Sequence, residues 1–133
     1  GTVLHAILAN INQPDQLGKA MNMVALTESE TAFYTDLSKK IIDLFEQKRW
    51  FDAKWQHFNE RELLYKNQSL RADKILLSED DCIVIDYKTG AKEKKYNKQL
   101  QEYMQVCATA LQQKIQGYLL YVDDMELIEV NLN

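Results

Sequence analysis

Between residues 71 and 90 the chain reads RADKILLSEDDCIVIDYKTG, two apolar runs joined by the polar stretch Ser78-Glu79-Asp80-Asp81. A run, a tight turn and a second run describe two adjacent strands. Cys82 to Tyr87 is apolar enough to be covered on both faces. Each strand carries one aspartate, Asp73 and Asp86, into surroundings that otherwise exclude water. Side chains alternate sides along a strand, so Asp86 and Lys88 leave the same face. Charges buried in this way are costly unless compensated, and two facing carboxylates are costlier still. A divalent cation is the simplest compensation, and an all-oxygen donor set suits magnesium or manganese. A simple Asp86–Lys88 ion pair at a strand end is the plainer reading of the same tripeptide.

The surrounding sequence builds an α/β domain around this pair. Leu4, Ile7, Leu8 and Ile11 recur at helical spacing over 3–13, with Pro14 closing the segment. A short helix is expected at 16–26. Thr27 or Ser29, followed by acidic residues, reads as an N-cap. Phe33, Leu37, Ile41, Leu44 and Phe45 then continue at helical period to about Arg49. Strands are expected over 54–65 and from Leu70 to Leu77, with Asn67-Gln68-Ser69 as the turn between them. Thr89-Gly90 ends the Cys82–Tyr87 strand. The longest helix spans 96–114, with Leu100, Tyr103, Met104, Cys107 and Leu111 on one stripe. Gly117–Val122 and Glu126–Leu132 are the last strands. A helical segment over 1–50 and a mixed sheet flanked by helices over 51–133 make one domain. Because it starts straight into a helix and ends on a strand, we expect a domain excised from a longer chain.

Composition narrows the setting. No apolar run approaches the roughly 20 residues that a membrane-crossing helix needs, and the N-terminus has none of the parts of a signal peptide. Cys82 and Cys107 lack CxxC spacing and are expected as buried free thiols of a cytoplasmic protein. The formal net charge of −4 argues against a self-sufficient nucleic-acid binder, since Lys and Arg supply phosphate contacts. Lys92, Lys94, Lys95 and Lys98 are nonetheless clustered just after the candidate site.

Asp73, a strand pair and then Asp86-Tyr87-Lys88-Thr89-Gly90 together resemble the PD-(D/E)xK nucleases, in particular their RecB-like branch. Four other stretches are similar to that family: Gly1 to Leu8 around His5, Asn59-Glu60-Arg61-Glu62, Gln99-Leu100-Gln101-Glu102-Tyr103, and Gly117 to Tyr121. The resemblance runs from His5 to about Val122. It implies a restriction-endonuclease-like core and hydrolysis of DNA phosphodiesters, exonucleolytic in character, assisted by Mg²⁺ or Mn²⁺. Asp73 and Asp86 would bind the metal, aided by His5, Glu60 and the backbone carbonyl of Tyr87, with Glu62 as the alternative to Glu60. Lys88 would orient the attacking water and stabilise transition-state charge, while Gln99 and Tyr103 would contact substrate or brace the site. It also implies a helicase motor in the same chain, a second subunit, single-stranded or duplex-end DNA as partner, and a place in repair and recombination. Two cysteines cannot supply the four of iron–sulfur members, so no cluster is expected. Where the family commonly has an arginine after its first aspartate, Lys74 follows Asp73 here and Arg71 precedes it. Taken singly, His5, Glu60, Tyr103 and the lysine cluster also read as core or solvated residues. A catalytically silent DNA-binding module and a purely structural domain are the competing functions.

Overall fold

The computed structural model describes residues 2–132, which divide between Ala53 and Lys54 into a helical unit and a sheet unit.

In the helical unit, α1 spans Thr2–Leu8 and buries Leu4, Ile7 and Leu8. It stops earlier than the apolar spacing suggests. Asn10 turns its side-chain amide back onto the Ala6 carbonyl, at 3.0 Å, and Ile11 is buried beyond the helix end. Pro14 opens a 3-10 turn, Pro14–Gln16, at the first position, where its missing N–H costs nothing. α2 then runs over Leu17–Asn22.

α3, Glu28–Gln47, is capped by Thr27, whose hydroxyl accepts from the Glu30 N–H while Glu30 Oε1 accepts from the Thr27 N–H. This reciprocal pair satisfies two donors that a helix start leaves open. Its buried stripe is Ser38, Ile41, Ile42 and Phe45; Phe33, expected there, is 61% exposed. The helix ends with Arg49 at φ +62. Arg49 N–H reaches the Glu46 carbonyl and Trp50 N–H the Phe45 carbonyl, a pairing that closes the last turn. Trp50 meets Phe45 edge to face, with centroids 5.0 Å apart.

The sheet unit is a five-stranded mixed sheet in the order β1-β2-β3-β4-β5. β1 (Gln56–Tyr65), β2 (Gln68–Leu77) and β3 (Asp81–Lys88) form an antiparallel meander. α4 (Lys94–Leu111) carries the chain to β4 (Lys114–Tyr121), which is parallel to β3, and β5 (Glu126–Val130) returns antiparallel to β4. The β1–β2 turn is Lys66-Asn67, both at positive φ, one residue earlier than expected and of the kind that matches strand twist. On the α4 side of the sheet, Ala72, Cys82, Val84, Leu119 and Tyr121 pack with Leu100, Tyr103, Met104 and Cys107. Leu111, expected on that stripe, is 40% exposed. Cys82 and Cys107 are free thiols buried within this core. The neighbouring Cys107 thiol and burial push the Cys82 thiol well above its ordinary range.

Candidate active site

The site grows out of a fault in the meander. β2 and β3 exchange ladder pairs from Leu77↔Cys82 only as far as Lys74↔Ile85. The next residues across, Asp73 and Asp86, replace the ladder with side chains. Asp73 N–H donates to Asp86 Oδ1 at 3.0 Å, and Tyr87 N–H donates to Asp73 Oδ2 at 2.9 Å. Each carboxylate thus accepts a backbone donor from the other strand. Such charge-assisted bonds are stronger than the neutral ones they replace, and they leave no N–H orphaned where the strands part.

The neighbouring strand is distorted at the same level. β1 and β2 pair from Gln56↔Leu77 to Tyr65↔Gln68, with the Glu60–Asp73 pair missing and Glu60 at φ +52. Along an unbroken strand Ala72 and Lys74 would share a side. Instead Ala72 joins the α4 core, while Lys74 stands opposite Ile85 on the other side. The slip falls on Asp73 and frees its N–H from the β1–β2 ladder to reach Asp86.

Two carboxylates are thereby fixed at the fork between the strands, with Asp86 only 7% exposed and Asp73 half-buried. Their field is felt next door: the Tyr87 phenol is held well above its ordinary range, by burial first and then by the Asp73 and Asp86 charges. The donor chemistry fits a hard divalent cation, because magnesium keeps several waters and needs only one or two protein carboxylates. The Tyr87 carbonyl leaves β3 by the edge that faces Asp73. A strand residue's N–H and C=O leave by the same edge, and Tyr87 N–H already points to Asp73. Among the described residues no group of three or more His, Cys, Asp or Glu side chains is gathered, so the side-chain donor set here is this pair.

Lys88 ends β3 on the same side as Asp86. Its backbone carbonyl accepts from Val122 N–H at 3.0 Å, and the following turn is fixed by Gly90 N–H donating to Asp123 Oδ2 at 2.9 Å. Among the described residues its ammonium makes no ion pair; it lies 4.5 Å from the centroid of the Tyr96 ring. The plain Asp86–Lys88 ion pair is therefore not what the fold adopts.

The other expected residues have the following places. Glu60 stands across from Asp73 on β1, but its carboxylate pairs with Arg71 at 2.7 Å. Glu62 lies opposite Arg71 and is exposed. Tyr103 is 2% exposed and its hydroxyl donates to the Arg61 carbonyl at 3.3 Å. Burial, then the neighbouring thiols and Asp86, hold that phenol above its usual range. It therefore braces α4 against β1 as a core residue, while Gln99, one turn earlier, is exposed. His5 belongs to the helical unit, half-buried in the last turn of α1. In the lysine cluster, Lys92 pairs with Glu126 and Lys95 with Glu93, whereas Lys94 and Lys98 are exposed.

Two contributors, Asp123 and Glu93, are not evident in the residue pattern, whereas Tyr96, one turn before Gln99, can be read as extending the Gln99 and Tyr103 surface. Asp123 anchors Gly90 from 33 positions away, which no local spacing signals. Glu93 carries a weak signal, its place three residues before Tyr96 at a helix start. Compared with models of known protein families the chain matches none, and no curated protein sequence matches it.

Proposed function

We propose that the sheet unit is a metal-dependent deoxyribonuclease with a restriction-endonuclease-like core of the RecB-like PD-(D/E)xK kind, cutting DNA as an exonuclease. The observation that carries this reading is the reciprocal Asp73–Asp86 arrangement, with Lys88 on the same face and not neutralised by either. In a purely structural sheet a neutral side chain could accept from each of the Asp73 and Tyr87 N–H groups without the like-charge and desolvation cost that two neighbouring carboxylates carry and that a bound cation would relieve.

Asp73, Asp86 and the Tyr87 carbonyl would hold Mg²⁺ or Mn²⁺, which when bound supplies Lewis-acid polarisation of a phosphoryl oxygen and an activated water. The chain's own residues do the rest. The backbone bonds from Asp73 and Tyr87 fix the carboxylates before substrate arrives, so little reorganisation is needed. The Lys88 ammonium sits where an anionic phosphate approaching the pair would meet it, and offsets charge that grows on the phosphorane. Tyr103 holds the strand carrying Arg61 against α4, which keeps the fork in register. The net charge of −4 supports a division of labour, in which a helicase motor of the same protein delivers the strand to this site during cytoplasmic DNA repair and recombination.

The test is cleavage of linear single- and double-stranded DNA by the chain with Mg²⁺ or Mn²⁺, beside Lys88→Ala and Asp86→Asn. Cleavage by the parent protein, lost in both variants, is expected, together with calorimetric Mn²⁺ binding that Asp86→Asn weakens and Lys88→Ala retains. Equal cleavage by all three proteins, or Mn²⁺ binding without any cleavage, overturns the catalytic reading; the latter result favours a silent DNA-binding module.

A further inference from the structure

Lys88 poses a problem that the proposed chemistry does not resolve. It is two residues from Asp86 on one face of one strand, with a flexible four-carbon stem, and an ammonium within reach of a buried carboxylate is expected to pair with it. It does not. What holds it lies on α4. The Lys88 ammonium is 4.5 Å from the Tyr96 ring centroid, within the range at which a cation is attracted to an aromatic face. The ring is itself fixed: it is half-buried against the α4 core, and its hydroxyl donates to Glu93 Oε2 at 2.7 Å. Glu93 is the residue that opens α4, in an extended conformation, and its other carboxylate oxygen lies 3.6 Å from Lys95 Nζ.

We infer that Tyr96, oriented by Glu93, is the positioning residue for the Lys88 ammonium, holding it away from Asp86 so that the cation is kept for a different ligand. The ring is suited to the task because it competes for the ammonium without neutralising it. A carboxylate in its place would cancel the charge, and an aliphatic residue would release it. The hydrogen bond to Glu93 sets the ring plane: the bond holds the Glu93 carboxyl below its usual range and lifts the Tyr96 phenol above its own, so both partners stay in their bonding states around neutrality. Tyr96 touches no reacting atom in this scheme and acts through Lys88. The inference rests on the nuclease reading for its purpose, but the placement of Lys88 can be measured without any cleavage.

Ring currents shift protons above an aromatic face upfield. In NMR spectra of the metal-free protein, the Lys88 ε-methylene protons, assigned by their disappearance in Lys88→Ala, should therefore lie upfield of those of the exposed lysines. Tyr96→Phe should retain most of that shift and Tyr96→Leu abolish it. Glu93→Ala, an exposed change that leaves the core intact, should reduce it by loosening the ring, and this variant keeps the test open if Tyr96→Leu does not fold. In calorimetry, Tyr96→Leu should bind Mn²⁺ on the order of tenfold more weakly as Lys88 falls onto Asp86, a typical cost of losing a supporting contact. The further change Lys88→Ala should restore the affinity. In cleavage assays Tyr96→Phe should rescue kcat where Tyr96→Leu loses it. Lys88 protons at ordinary positions in the parent protein, or Mn²⁺ affinity equal in Tyr96→Leu and parent, overturn the inference. If the parent binds Mn²⁺ and shows the upfield protons but cuts no DNA, the nuclease reading fails while the positioning of Lys88 stands.

Discussion

Glu60 shows how one residue sets the geometry of the fork. A non-glycine residue at φ +52 is strained by roughly 1–3 kcal/mol, and the strain is located where β1 must let β2 slip so that Asp73 turns toward Asp86. The ion pair to Arg71 does not offset it: both side chains are more than a third exposed, and exposed pairs contribute about 0–1 kcal/mol. Glycine adopts this conformation without penalty. Glu60→Gly should therefore match or exceed the parent in urea denaturation, while Glu60→Val, branched at Cβ, should lose about 1–3 kcal/mol. Cleavage then separates backbone from carboxylate, since a Glu60→Gly protein that is stable but inactive would assign the carboxylate to the chemistry. A Glu60→Gly protein less stable than Glu60→Val would show that the conformation is not the source of strain. Neither the strain nor the Arg71 pairing is legible in Asn59-Glu60-Arg61-Glu62, where alternation alone puts Glu60 and Glu62 on one side. By contrast, Asp86 and Lys88 could be read directly, because a separation of two on a strand fixes a shared face.

At the scale of elements, legibility follows the range of the interaction. The Thr27–Glu30 cap is a contact three residues long, so the start of α3 is evident from sequence. The β1–β2 turn was expected at Asn67-Gln68-Ser69 because those residue types favour turns; it forms at Lys66-Asn67 because the nine-pair register with β2 puts the reversal there. The α4–β4 packing depends on a contact with no sequence signal. Gly117 lies under Met104, and a Cβ added to it would have Met104 Cε at 2.9 Å, Cγ at 3.2 Å and the sulfur closer still. Met104 is fully buried, so its thioether would have to shift within the core, which such side chains do more readily than branched ones. Gly117→Ala should cost about 1–3 kcal/mol, as overpacked cores do. Adding Met104→Ala should recover part of that loss, leaving the double variant more stable than the two single effects predict. Additive losses by thermal denaturation would show that the two residues do not share the space.

For the molecule as a whole, the most deeply buried charged residue among those described is Lys74. It is 1% exposed, with its ammonium 3.1 Å from Asn59 Oδ1, and burial lowers its pKa from 10.5 to about 7. The sign follows from proton counting. Between about pH 7 and 10.5 the unfolded chain holds a proton on Lys74 that the folded chain lacks, so stability rises with pH across that window. The full penalty of burying the lysine is present below about pH 7. One proton sets a maximum slope of about 1.4 kcal/mol per pH unit. Tyr87 and Tyr103 act in the opposite direction at higher pH. Their phenols are held above the ordinary value of 10.0, so the unfolded chain loses protons there that the folded chain keeps, and stability falls above about pH 10. Urea denaturation in chelator-treated buffer should therefore show stability climbing from pH 7 to 9 and turning over near pH 10. Lys74→Met keeps the stem and removes the titrating group; it should flatten the climb and raise stability at pH 7, where the parent bears the burial cost. Parallel profiles for parent and variant from pH 7 to 9 would place the titrating proton on another group. Because Lys74 adjoins Asp73 in sequence but stands opposite Ile85, away from the α4 side of the sheet, a stabilised Lys74→Met protein that still binds Mn²⁺ would also show that the carboxylate fork is built independently of the charge beside it.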